Sequence, residues 1–264
     1  MAEALGDAAA PAGDFVSAYA AAAAEVVTTI ASCNVGASVP ACPGWTAYDV
    51  VVHLGNVHAW AATIVETGRD APEQNDHPSS HRAKAVARWY AGKAEDLLQV
   101  LRASDAEDLC WTFSAHHHTA AFWPRRQTHE TLVHFVDLHQ SAGRTTTIPA
   151  WLAADAVGEV LEVFLPRMHA RGRPATISAP IVLHAHDTGD AWLVAPPLDG
   201  GSGPPLAGPS AWGDILDVGL DTVTGTAADL MLLLWKRLPV DTPGVTLDGD
   251  RTRLLAFLGS PLTP

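Results

Sequence analysis

Residues 127–137, QTHETLVHFVD, carry two imidazoles and two carboxylates within eleven positions. Glu130 and His134 stand four residues apart, so on a helix they share one face a single turn apart and can converge on one ion. A further imidazole, His53, interrupts the apolar run YDVVVHLGNVHAW (48–60), where Val50, Leu54 and Val57 are its neighbours. Two imidazoles and a carboxylate suit zinc or another divalent transition metal, and three protein ligands leave a position open for water or substrate. By spacing alone the same residues also make a solvated Glu–His pair on a wet helix face. The choice depends on whether the helix bearing His53 packs beside the helix bearing Glu130 and His134, because facing helices of a bundle are where such sites are built.

Other residues have parts to play around such a centre. His129 follows its neighbour by about 100° around an ideal helix, which turns it away from the Glu130 face towards packing, or towards service as a base if bound water were the nucleophile. Asp137 is a second candidate base. Asp137 and His58 are also candidates to accept the second N–H of a ligating imidazole. Arg126 and Arg237 offer planar forks for a substrate carboxylate or carbonyl. His116, His117 and His118 resemble a metal tag, but in a turn-like segment successive side chains diverge, so they either line a pocket or face solvent. Cys42 precedes a helix, where a thiol is either reactive or a small buried hydrophobe.

Positioning these groups requires helices. Segments rich in Ala, Leu, Val and Trp, bounded by Pro, Gly or polar clusters, predict helices over about 13–33, 46–68, 81–103, 122–142 and 150–171. Thr46 and Asp49 form a capping-box pattern at the start of the second. After RGRP (171–174) the pattern changes to alternation around a Thr-Gly-Asp turn, which predicts a β-hairpin, followed by a Gly/Pro-rich loop, an apolar helix in GTAADLMLLLWKRL that would carry Arg237, and a strand and helix in VTLDGDRTRLLAFL. The expected fold is α+β: a helical bundle over 1–172 and a small α/β domain over 173–264.

Composition excludes some functions. A net charge of −13, with 16 Lys plus Arg and no basic run, argues against a surface that tracks phosphate backbones. Nucleic acid is therefore not an expected partner. The apolar stretch AYAAAAAEVV is interrupted by Glu25 and short for a bilayer span, and the first residues lack the positive start of a secretory signal, so no membrane partner is expected either. Cys33, Cys42 and Cys110 are odd in number and widely spaced, which fits a reducing cytoplasm. Nothing in the sequence specifies oligomeric state.

The combination of CPGWTAYDVVVHLGNVHAW, FWPRRQTHETLVHFVD and TGTAADLMLLLWKRLP followed by VTLDGD, in that order, resembles the mycothiol-dependent maleylpyruvate isomerase family. The resemblance implies a DinB-like up-down four-helix bundle with a small C-terminal α/β domain, and it implies His53, Glu130 and His134 as ligands of a divalent metal, zinc. The family's usual DLVAHL is DVVVHL here, which keeps the ligand. The His-containing stretch before FWPRR and the Gly/Pro-rich segment near 199–213 have no counterpart. The implied cosubstrate is the thiol mycothiol, the partner a small electrophile, and the activity that of an isomerase or S-transferase in which a metal-bound thiolate attacks. A hydrolase or lyase using metal-bound water, and a non-catalytic metal- or ligand-binding sensor, are the alternatives on the same scaffold.

Overall fold

A computed structural model describes residues 14–197, the backbone of 206–210, and 219–264. The chain divides into two compact units: the described residues up to Phe113 with His117–Thr147, and Ser114–His116 with Ile148–Pro264.

The first unit is a four-helix bundle of α1 (Phe15–Ser32), α2 (Ala47–Thr67), α3 (Ala83–Ala103) and α4 (Phe122–Ser141). The helix starts and stops follow local chemistry. Thr46 and Asp49 satisfy each other's backbone N–H groups in a capping box, and Gly68, at φ +67°, closes α2 by donating to the Ile64 carbonyl. α1 and α2 each pack mainly against α3 and α4, so the order around the ring is α1–α3–α2–α4. Consecutive α1 and α2 lie across the diagonal, as do α3 and α4, and the long connections 33–46 and 104–121 make those crossings. As a result α2 and α4, the two helices bearing the candidate ligands, are neighbours. α4 is polar in sequence, yet apart from Glu130 it is buried continuously from Arg126 to Leu138. Its polar side chains must therefore find partners inside the bundle.

α1 extends further than its alanine run suggests: at 18 residues it is the one described helix long and apolar enough to cross a membrane. Here it is a bundle helix, with the Tyr19 hydroxyl donating to the Ala94 carbonyl of α3 and the Thr128 hydroxyl of α4 donating to the Phe15 carbonyl.

The second unit opens with α5 (Ala150–Glu159), which runs through a widened π turn (Val160–Phe164) into α6 (Leu165–Ala170). Pro166 lies one residue beyond the widened turn; it has no N–H to give the Glu162 carbonyl, and its ring crowds that group, so the expected uninterrupted helix is relieved at this point. α5 packs against α7 (Ala227–Leu234) and buries Leu152, Ala153, Ala156 and Val157. This apolar face groups the 150–170 helix with the second unit, whereas the sequence boundary at 172/173 left it with the bundle. The sheet has the order β3-β2-β1-β4-β5, formed by Leu206–Ser210, Ala191–Ala195, Ile181–Ala185, Asp221–Gly225 and Thr246–Asp248. β1 and β2 are the expected antiparallel hairpin, and β1 pairs in parallel with β4. Within the segment read as a Gly/Pro-rich loop, 206–210 is a strand paired antiparallel with β2; the remainder of that loop lies outside the described residues. α8 (Arg251–Gly259) follows β5, and its N-cap Asp250 accepts from the backbone N–H groups of Thr252 and Arg253.

Candidate metal centre

α2 contributes His53 and α4 contributes Glu130 and His134, and the three ligand atoms lie within 4.8 Å of one another. Glu130 Oε1 is 3.4 Å from His53 Nε2 and 3.3 Å from His134 Nε2. The two rings meet edge to face with centroids 5.0 Å apart. Zinc bonds of about 2.0–2.1 Å place two ligands of a tetrahedral site about 3.3–3.4 Å apart, so these separations fit those expected of a ligand set around one ion. The set fits a divalent metal in donor chemistry as well: neutral imidazoles and a carboxylate, with no thiolate in the cluster.

Each candidate ligand is held from behind. His134 Nδ1 donates to Asp137 Oδ2 at 2.9 Å, which fixes the tautomer with Nε2 towards the cluster. The buried Arg126 guanidinium donates to Glu130 Oε2, leaving Oε1 for the imidazoles. The Trp45 ring lies 5.2 Å from that of His53, and Cys42 Sγ donates to Asp137 Oδ2 at 3.5 Å. Access is from the His53 side: its side chain is 37 % exposed, against 16 % for Glu130 and 10 % for His134.

The electrostatics are those of a concentrated charge cluster. Burial pushes the Glu130 carboxyl up, but the Arg126 charge and hydrogen bonds from His134 and His53 outweigh it and hold the group well below the usual carboxylate range. Burial likewise opposes charge on His134, yet hydrogen bonds to Asp137 and Glu130 and their negative charges raise it to about 9. That shift favours the imidazolium form of His134 near neutral pH, so ligation of a metal would have to displace a proton.

The bundle thus brings together His53, Glu130, His134, Arg126 and Asp137. Arg126, which the sequence offers as a substrate anchor, donates to the candidate ligand Glu130. His129 is fully buried and points to α1, its ring edge-on to Phe15 at 5.8 Å, as its angular offset from Glu130 requires. Arg237 belongs to the second unit and lies beyond the end of α7, not on it. Lys236 there takes φ +61°, the Arg237 N–H bonds back to the Leu232 carbonyl, and its guanidinium donates to the Trp235 carbonyl. His58 is buried with Nδ1 on Gln127 Oε1 (2.9 Å) and Nε2 on the Tyr90 hydroxyl (3.1 Å), so it neither orients a ligand nor supplies a fourth. His116, His117 and His118 are exposed and outside the cluster. The contacts of Trp45 and Cys42 leave one trace in the sequence, the turn signature Cys-Pro-Gly-Trp.

Comparison with known proteins bears on the whole chain. The family described as "Mycothiol maleylpyruvate isomerase N-terminal domain" matches residues 16–139, and that described as "MDMPI C-terminal domain" matches 152–256. A crystal structure of the mycothiol-dependent maleylpyruvate isomerase is similar, with 14% sequence identity, a TM-score of 0.59, and coverage of 89% of this chain and 91% of that one. A histidine-to-alanine mutant of that isomerase gives 13% identity and a TM-score of 0.58 over the same shares. At these identities the likeness to the solved structures is one of fold. No curated protein matches the sequence.

Proposed function

The chain belongs to the mycothiol-dependent maleylpyruvate isomerase family, a family of enzymes, and from that premise we propose that it binds one divalent metal, zinc by its donor set, and catalyses a mycothiol-dependent reaction of a small electrophile, as an isomerase or an S-transferase. The observation that carries the proposal is the pair of separations, 3.4 and 3.3 Å, from one Glu130 oxygen to the two imidazole nitrogens. A divalent ion held by His53, Glu130 and His134 would supply Lewis acidity that favours the thiolate form of a thiol near neutral pH, the nucleophile for an activated double bond.

The protein's own residues prepare that position. Asp137 keeps the Nδ1 proton of His134, so the lone pair of Nε2 faces inward once the second proton has left. Arg126 neutralises the outer oxygen of Glu130 and prevents the carboxylate from turning both oxygens towards the centre. The half-exposed His53 leaves one side of the cluster open to a thiol and its electrophile, while the buried α4 closes the opposite side to water.

The test uses full-length protein loaded with zinc and supplied with mycothiol and maleylpyruvate, alongside calorimetric titration of loaded and metal-stripped protein with mycothiol. Thiol binding only to the loaded form, with either cis–trans conversion or a stable thioether product, supports the proposal and separates isomerase from transferase. Absence of any thiol binding to loaded protein overturns it.

A further inference from the structure

The segment leading into α2 meets the cluster from outside at two points, the His53 ring and the Asp137 carboxylate that holds His134. Trp45 N–H donates to the Cys42 carbonyl at 3.0 Å, with Pro43 second and Gly44, at φ +86°, third, which makes residues 42–45 a type II turn. The turn is tied at both ends: Cys42 N–H donates to the Val39 carbonyl (3.1 Å), Val39 N–H to the Trp45 carbonyl (3.0 Å), and Thr46 begins the capping box of α2. Its first residue reaches Asp137 Oδ2, the same oxygen that accepts His134 Nδ1, and its last lays an indole against the His53 ring.

We propose that the Cys42-Pro43-Gly44-Trp45 turn is a positioning element for the metal centre, in which Cys42 acts on His134 through Asp137 and Trp45 acts on His53 directly. The inference rests on the metal reading above and adds to it the residues that fix both imidazoles. Asp137 is fully buried, and a buried carboxylate oxygen shared between an imidazole N–H and a thiol S–H is confined to one rotamer. His53 is the most exposed of the three ligands and has the most rotamer freedom to lose on ligation. An indole already against its ring lowers that loss, and a ligand set held in geometry beforehand binds more tightly. A rigid turn delivers both contacts together: Pro43 fixes one dihedral, and Gly44 occupies a left-handed conformation that other residues resist.

The test measures zinc affinity by chelator competition, and the visible absorption of the cobalt-loaded protein, for full-length wild type, Cys42→Ala, Cys42→Ser, Trp45→Leu and Gly44→Ala, with thermal unfolding as the check on folding. A Cβ at Gly44 would meet nothing within 4 Å, so Gly44→Ala perturbs the turn through its backbone alone. Cys42→Ala and Trp45→Leu should each weaken zinc binding by roughly tenfold and alter the cobalt spectrum. Cys42→Ser, which keeps a donor to Asp137, should restore wild-type affinity, and Gly44→Ala should weaken binding at least as much as either single side-chain loss. Folded Cys42→Ala and Trp45→Leu proteins with wild-type affinity and an unchanged cobalt spectrum overturn the inference while leaving metal binding intact. A wild type that takes up no divalent ion overturns the metal reading and this inference with it.

Discussion

Two histidines five residues apart on α2 face the same neighbour, α4, and do opposite things. His58 lies in a closed polar network: it is completely buried, donates to Gln127, accepts from Tyr90, and burial holds it neutral at a pKa of about 4. His53 lies in an open cluster, part exposed, 3.4 Å from a carboxylate that it shares with a second imidazole. In the first cluster both ring nitrogens are satisfied by neutral protein groups, which is what a packed interior demands. In the second, three ligand atoms converge and their remaining capacity points to a common centre. A histidine on a bundle helix is thus a packing group or a candidate ligand according to where its nitrogens are spent, and residue type or helix position alone does not distinguish the two.

The largest contrast should come from exchanging the substitutions. His53→Ala should lower zinc affinity by more than about 100-fold with unfolding free energy changed by no more than about 0.5 kcal/mol. His58→Ala should keep near-stoichiometric metal but cost about 3 kcal/mol of stability, because it leaves a cavity and strands Gln127 and Tyr90. Chelator competition and urea unfolding on both variants check this; if both lose metal equally, the two clusters are one unit.

The pH dependence of stability in metal-stripped protein should show two opposed slopes. His58 has a folded pKa of about 4 against an ordinary 6.5, so the unfolded chain gains a proton first and stability is lost as pH falls from 6.5 through 4, by about 3 kcal/mol in all. His134 has a folded pKa of about 9, so its contribution is complete below pH 6.5 and is lost as pH rises from 6.5 through 9. Zinc loading should remove the alkaline slope, since ligation keeps the Nε2 of His134 unprotonated, and leave the acid slope in place. Unfolding free energies measured across pH 4–9 with and without zinc decide this.

Smaller effects should follow from the groups behind each histidine. Asp137→Asn should weaken zinc about tenfold by loosening the His134 tautomer, without affecting the His58 network. Tyr90→Phe should cost about 1 kcal/mol of stability and leave zinc affinity unchanged, since the hydroxyl it removes serves His58 and Thr131 and no member of the cluster. Affinity and unfolding measured on the same two variants give the check.

Helix four to the right of Arg126 was readable because a Glu–x–x–x–His pair has helical spacing, and helix two because Thr46, Asp49 and Gly68 mark its ends by local chemistry. The adjacency of the two helices was not readable from local pattern, because the ring order α1–α3–α2–α4 is set by the long connections 33–46 and 104–121; it entered through family resemblance. The distinct fates of His53 and His58 are equally hidden from local pattern, since both lie in one apolar run and differ in partners distant in sequence: Glu130 for His53, Gln127 and Tyr90 for His58. The apolar pattern runs up to Arg237 and predicts a helix there, yet the helix stops at Leu234 and Lys236 takes φ +61° beyond it, a conformation that composition does not announce. The strand at 206–210 was hidden by Gly and Pro, which are uncommon in strand interiors and here sit on the sheet's outer strand.

The most direct measurement is the metal content of purified full-length protein by elemental analysis, wild type against His53→Ala and Glu130→Ala. Near-stoichiometric divalent metal in the wild type, lost in both variants while thermal unfolding stays close to that of the wild type, is the expected result. A folded wild type that cannot be loaded with any divalent metal would contradict it and make His53, Glu130 and His134 a polar helix face.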